Sequence, residues 1–301
     1  MFLEVEDYIF DCQSRGLSQK TLKNYRNHLI RFEKYIREQG VNKVIDIKPI
    51  HIKKFIKLKQ DAGCTNKYCN GIYKALKVFF DYCIENEYII KSPMKNIKPA
   101  KEEKRTIEVF TDKETNRLIN YYDYSNYLNA RNKAIVNMMF DTGVRTTELL
   151  GITNDDIQVD RIKIYGKGAK ERFIALSTEL KKILRRYERI KDSYFYKKDI
   201  PDYYFLSRTG RQLTVEAIER LWRIAGEECD IRDSVRCSGH TARHYFATKM
   251  MEKNDIYTVS KLLGHSTVAN TERYIATLTD EKLIEQGKVT SPLTTLKGGR
   301  K

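Results

Sequence analysis

Apolar residues in the first third of the chain recur at spacings of three and four. Leu22, Tyr25, Leu29, Phe32 and Ile36 form one stripe, which predicts an amphipathic helix over 18–39. Ser18 stands where an N-cap belongs, and Gly40 closes the segment. The same periodicity predicts further short helices over about 49–62 and about 66–88, the latter packing through Tyr73, Leu76, Phe79, Phe80 and Ile84. Residues 91–108 then break the pattern with two prolines and a dense run of charge. The chain is therefore expected to divide into a helical domain over 1–97, a linker over 98–108 and a second domain over 109–301.

In the second domain Thr111 and Glu114 have capping-box spacing, and helices follow to about residue 151. The period then falls to two. Ile162 and Ile164, a Gly166-Lys167-Gly168 turn, and Phe173 and Ala175 predict a β-hairpin with those four residues as its apolar positions. Beyond 177 the chain reads as helical again, over 217–228, 240–253 and 256–263, with a last short helix near 280–287 capped by Thr279. The fold class that results is mainly α, an all-helical first domain followed by an α+β domain with a small antiparallel sheet.

Charge adds a partner to this outline. The 301 residues carry 56 Lys+Arg against 40 Asp+Glu, a formal charge of +16. Residues 1–100 hold 19 Lys+Arg and 11 Asp+Glu, a net of +8 and half the surplus in a third of the chain. Such a surplus sits mostly at the surface and attracts polyanions, and each phosphate neutralised releases a counterion and adds affinity. Lys23, Arg26, Lys34 and Arg37 share a second face of the 18–39 helix, and Lys53, Lys54, Lys57 and Lys59 line the next one. For a single helix a solvated face is the plainer explanation. Two such helices in one basic domain point to a module that grips DNA.

Other classes drop out on composition. The first seven residues carry three acids, which no secretory signal does, and no run approaches the ~18 apolar residues of a membrane span. A cytoplasmic, nucleoid-associated protein with no membrane partner is expected. The six cysteines (12, 64, 69, 83, 229 and 237) form no CxxC pair, and Cys64 and Cys69 have no histidine near them in sequence. They are expected to be structural thiols, with no metal.

Cutting a phosphodiester without a metal requires cations on the non-bridging oxygens, a nucleophile, and an acid for the leaving oxygen. Four segments offer these parts. Residues 142–152, TGVRTTELLGI, place Arg145 and Glu148 three apart, with Gly143 allowing a helix to start sharply. Residues 166–172, GKGAKER, put Lys167 and Arg172 at a hairpin tip. Residues 240–248, HTARHYFAT, set His240 and Arg243 on one helix face. Residues 262–274, LLGHSTVANTERY, hold His265 and Tyr274 nine positions apart. Taken singly, each has a bland explanation: a surface Arg145–Glu148 pair, a solvated turn, a core histidine, one tyrosine among 20. Together the bland explanations fail, because three of the five histidines (240, 244 and 265) fall inside two of these short segments.

The ordered set Arg, Lys, His-x-x-Arg, Gly-His, Tyr resembles the tyrosine recombinase family of phage integrases and Xer-like recombinases. The likeness is close over about 109–280 and looser over the helical first hundred residues. It implies a SAM-like core-binding bundle joined to a catalytic domain of the DNA breaking–rejoining fold. It implies that Arg145 and Arg243 clamp the scissile phosphate, His240 acts in proton transfer at the nucleophile, and Lys167 protonates the departing 5′ oxygen. His265 would hydrogen-bond the phosphate in the transition state, and Tyr274 would attack, leaving a 3′-phosphotyrosyl link. Glu148 would orient Arg145. Lys23, Arg26, Lys34, Arg37 and Arg172 are candidate DNA contacts, and no cofactor is implied. Ala175 stands where the family often has Pro, and Thr241-Ala242 replaces a commoner apolar residue; neither touches the chemistry. His244 is expected to pack or bond structurally.

The implied function is site-specific recombination of duplex DNA, either integration and excision of a mobile element or resolution of multimers. Core sites arranged as inverted repeats, a homotetramer on two duplexes, accessory proteins, and a tail over about 279–301 docking onto a neighbouring protomer belong to the same picture. Competing readings are a type IB topoisomerase, a non-catalytic DNA-binding relative, and a metal-dependent transposase. For the last of these, Asp141, Asp155 and Asp156 form no convincing triad.

Overall fold

Ser18 Oγ accepts the Thr21 N–H at 3.3 Å, and helix α2 (Gln19–Glu38) begins there as its sequence predicts. The structure, a computed structural model, describes residues 2–102, 108–166, 171–265, 267–272 and 274. Helix α1 (Leu3–Ser14) precedes α2; a 3₁₀ turn (Val44–Asp46), α3 (Pro49–Asp61) and α4 (Asn66–Glu85) follow. Leu22, Leu29, Phe32 and Ile36 are buried and Tyr25 is half-buried, so the stripe faces the core. Tyr8 of α1 meets Phe79 of α4 edge-on at 5.7 Å and closes the bundle.

Helices α2 and α4, 20 residues each, fall within the predicted 18–39 and 66–88, and one detail departs from expectation. The inward stripe of α4 keeps the predicted Leu76, Phe79 and Phe80 but runs through Ile72 and Cys83 at its ends, which leaves Ile84 38% exposed. The first part of the expected linker lies along α4. The buried Asn70 side chain donates to the Ala100 carbonyl at 2.9 Å and accepts the Ala100 N–H at 2.8 Å, while Tyr73 donates to the Ile97 carbonyl. The chain divides into two compact units, Met1–Lys104 and Arg105–Lys301.

In the second unit the Thr111–Glu114 capping box is present, with the Thr111 N–H on Glu114 Oε2 at 2.7 Å, and it starts α5 (Asp112–Tyr121). Helix α6 (Tyr127–Thr142) carries Ala130, Ala134, Ile135, Val136, Met138 and Met139, all fully buried. Its charged and amide side chains are only half-buried and are bonded, Lys133 Nζ donating to the Ile119 and Tyr122 carbonyls at 3.2 and 2.9 Å, so the helix can lie in the core. Helices α8 (Thr178–Tyr194) and α10 (Gly239–Met251) pack against it. The other elements are α7 (Thr146–Leu149), α9 (Val215–Glu228), α11 (Ile256–Leu263) and α12 (Ala269–Glu272).

Strands β1 (Arg161–Tyr165) and β2 (Glu171–Ala175) form an antiparallel pair in which Ile162 faces Ile174 and Ile164 faces Arg172. The inward residues of β2 are thus Arg172 and Ile174, not Phe173 and Ala175. Phe173 is 49% exposed, with the Arg161 guanidinium 5.2 Å from its ring centroid. Alternation in a strand leaves only two parities, and here the exposed aromatic is stabilised by a neighbouring cation rather than by burial. Among the described residues no helix is long and apolar enough to cross a membrane. The predicted helix at 280–287 and the tail at 279–301 lie outside the described residues.

Candidate active site

Gly143 ends a helix rather than starting one. It caps α6 in the left-handed conformation, φ 59°, and a Cβ there would overlap the Phe246 ring. The chain turns and Arg145 becomes the N-cap of α7. Its backbone N–H donates to Glu148 Oε2 at 2.8 Å and its Nη1 to Oε1 at 2.7 Å, so one carboxylate fixes both ends of the residue.

Three guanidinium groups converge on the end of α11. Arg172 Nε donates to the Leu262 carbonyl at 3.0 Å, Arg243 Nη2 to Leu263 at 2.5 Å, and Arg145 Nη2 to Gly264 at 3.1 Å. These carbonyls have no partner further along the helix, and the negative end of its dipole favours cations. Gly264 turns the chain with φ 62°, and His265 follows directly. Arg243, only 2% exposed, also donates to the Gly143 carbonyl at 2.6 Å. Burial first, then repulsion from Arg145, pushes its pKa down to about 10, which leaves it cationic at neutral pH. Burial tends to raise the Glu148 carboxyl. Hydrogen bonds from Arg172 and from the Arg145 N–H, with the attraction of Arg172, outweigh it and hold the group below its ordinary value.

A second cluster is built from rings. Tyr274 is 2% exposed, and its hydroxyl lies 2.7 Å from His244 Nδ1. The His240 and His244 ring centroids are 4.1 Å apart, as i,i+4 neighbours on α10. The His265 ring lies parallel to Tyr274, with centroids 6.5 Å apart, and His265 Nδ1 is 2.7 Å from the Thr271 hydroxyl. The guanidinium and ring clusters share the 262–265 turn. Arg145, Arg243, His240, His265, Tyr274 and Glu148 therefore belong to one region, whereas Lys167 lies outside the described residues.

The expected DNA contacts fare differently. Lys23, Arg26 and Lys34 are exposed on α2. Arg37 is engaged within the fold: its Nε donates to Glu33 at 2.9 Å and its guanidinium sits 4.5 Å from the Phe2 ring centroid. Arg172 points inward, its side chain 12% exposed, with Nη1 and Nη2 on the two Glu148 oxygens at 2.9 and 2.8 Å. His244, read as structural, contacts the candidate nucleophile itself. The signal for it was the i,i+4 spacing from His240 on a helix. Among the described residues no group of His, Cys, Asp or Glu could hold a metal ion, and the six cysteines are free thiols. Asp141 accepts the Ser177 N–H, and Asp156 accepts from Thr153.

The phage integrase family profile matches residues 108–281, and the profile of the phage integrase N-terminal SAM-like domain matches 6–87. Tyrosine recombinase XerD of Staphylococcus haemolyticus is 30% identical over 274 residues, covering 90% of this chain and 92% of the relative. XerD of Oceanobacillus iheyensis is 26% identical over 276 residues at the same coverage. Among solved structures, XerH bound to palindromic difH substrate in a post-cleavage complex superposes with a TM-score of 0.77 at 22% identity, covering 95% of this chain and 83% of that one. The Tn1549 transposon integrase in complex with transposon right end DNA superposes with 0.72 at 16% identity, covering 96% and 99%. These two likenesses concern the fold. The chain belongs to the phage integrase family: it is a tyrosine recombinase, a DNA strand-transferring enzyme.

Proposed function

We propose that this recombinase cuts and rejoins duplex DNA at specific core sites with Tyr274 as the covalent nucleophile. The observation that carries the proposal is the Tyr274 hydroxyl on an imidazole, in the same region as two guanidinium groups fixed by Glu148 and by the end of α11. A phenol has a pKa near ~10 in model peptides, so a base and neighbouring cations are needed to activate it. The phenol oxygen attacks phosphorus as its proton leaves toward the histidines. Arg145, Arg243 and His265 stabilise the pentavalent phosphate, and Lys167 protonates the departing 5′ oxygen. The 3′-phosphotyrosyl bond conserves the phosphodiester energy, so attack by a 5′ hydroxyl reseals the strand without ATP. Each such donor typically contributes about 10²–10³ in rate.

In the same proposal residues 1–97 grip the core site through Lys23, Arg26 and Lys34, residues 98–108 link the domains, and 109–301 carry the chemistry. Four protomers act on two duplexes, with accessory proteins, and the 279–301 tail docks onto a neighbour. The protein works in the cytoplasm on the nucleoid, on a mobile element or on multimers. The test is a nicked suicide duplex carrying the cognate site, taken from DNA flanking the gene. The wild type should form an SDS-resistant adduct in EDTA, and Tyr274→Phe should bind without forming it. No adduct from the wild type would sink the proposal; relaxation of a plasmid lacking the site would favour a type IB topoisomerase.

A further inference from the structure

We propose that Arg172 is a positioning residue for strand cleavage, aligning Arg145 and His265 from beneath, and is not itself a DNA contact. The inference rests on the recombinase reading above. Arg172 stands on the inward face of β2, opposite Ile164. Its fork meets both oxygens of Glu148, whose side chain is 6% exposed. The same two oxygens take the backbone N–H and Nη1 of Arg145. Glu148 thus sits between two guanidinium groups, one deep and one half-exposed, and the deep one decides where the carboxylate lies. A planar fork can hold both oxygens at once; an ammonium cannot.

Arg172 Nε donates to the Leu262 carbonyl, three residues before His265. Gly264 records how tight that contact is. A Cβ at this left-handed position would lie 2.7 Å from Arg172 Nη1. One side chain therefore sets both the carboxylate that aims Arg145 and the turn that presents His265. It also ties both to strand β2, on which it stands.

The test separates binding from cleavage with Arg172→Lys and Arg172→Ala, the lysine variant serving as the judge if the alanine variant does not fold. Core-site affinity and its salt dependence should match the wild type, while single-turnover adduct formation falls about 10–100-fold, the scale on which a misplacement of about 1 Å costs rate. In an Arg145→Lys background the same change should cost much less, because the group being aligned is already impaired. A salt slope reduced by about one would make Arg172 a phosphate contact and overturn the proposal. So would wild-type cleavage by Arg172→Lys, or an undiminished penalty in the Arg145→Lys background. The wild-type adduct in the same assay keeps the recombinase reading separate: its absence would count against that reading, not against the role of Arg172.

Discussion

The Tyr274 hydroxyl and His244 Nδ1 are 2.7 Å apart, a contact between residues 30 positions apart in the chain. The resemblance assigns proton transfer at the nucleophile to His240, yet the imidazole on the phenol is the next one along α10. A neutral imidazole accepts at Nδ1 when its proton is on Nε2, so His244 can orient the phenol and take its proton. Replacing His244 by Phe keeps the ring and removes the acceptor. Adduct formation on nicked DNA is expected to fall about 10²-fold with core-site binding unchanged. Wild-type adduct rates in this variant would return His244 to a packing role.

Glu148 yields a prediction in pH. Its carboxyl is held below its ordinary value in the folded chain, so between the two values the unfolded chain binds more protons. The stabilisation from the Arg145–Glu148–Arg172 cluster is therefore complete above the unfolded value and is lost as pH falls through the folded one. Glu148→Gln removes the charge at every pH and leaves two guanidinium groups sharing a neutral partner. At neutral pH the variant should lose about 3 kcal/mol, the scale for breaking a buried ion pair. The gap in melting temperature between wild type and variant should narrow as the solution is acidified into the carboxylate range. A gap constant with pH would mean that the cluster contributes no linked protonation.

Gly143 is held at φ 59° with the Phe246 ring where a Cβ would go, and its carbonyl receives Arg243. Alanine there costs about 1–2 kcal/mol for the left-handed backbone alone, and the displaced ring adds to it. Because the shift also moves the Arg243 acceptor, Gly143→Ala should slow cleavage as well as lower the melting temperature. Phe246→Leu in the same chain relieves the overlap and should recover part of both. Recovery of stability without activity would show that the Gly143 carbonyl does not align Arg243.

How much of this was legible in the sequence follows from what each signal encodes. The α2 stripe and the Thr111–Glu114 box are local, and both appear where their spacing puts them. The three segments with Arg145, with His240 and Arg243, and with His265 and Tyr274 are marked by their order along the chain, a pattern that survives any fold. Contacts between segments were not legible. Arg172 reads as a hairpin-tip cation unless a buried carboxylate 24 residues away is known to receive it. In a five-residue strand the large apolar Phe173 pulls the parity the wrong way. Gly143 misled for a simpler reason: a glycine that stops one helix and a glycine that starts the next are the same letter.

Salt dependence tests the basic face of α2 residue by residue. The formal charge of +16 predicts core-site binding that weakens steeply with salt, each phosphate contact adding about 0.9 to the slope of log affinity against log salt. Lys23, Arg26 and Lys34 are exposed, and alanine at each should lower the slope by about one with little effect on melting temperature. Arg37 is held by Glu33 and by the Phe2 ring, so leaving them for a phosphate means giving up two contacts at once. Arg37→Ala should therefore leave the slope nearly unchanged and cost about 0.5–1 kcal/mol of stability, small because the pair is half in solvent. A slope that drops as far as for Lys23→Ala would mean that phosphate outcompetes Glu33, and that the expectation for this side chain drawn from the sequence describes the DNA-bound protein better than the hydrogen bond does.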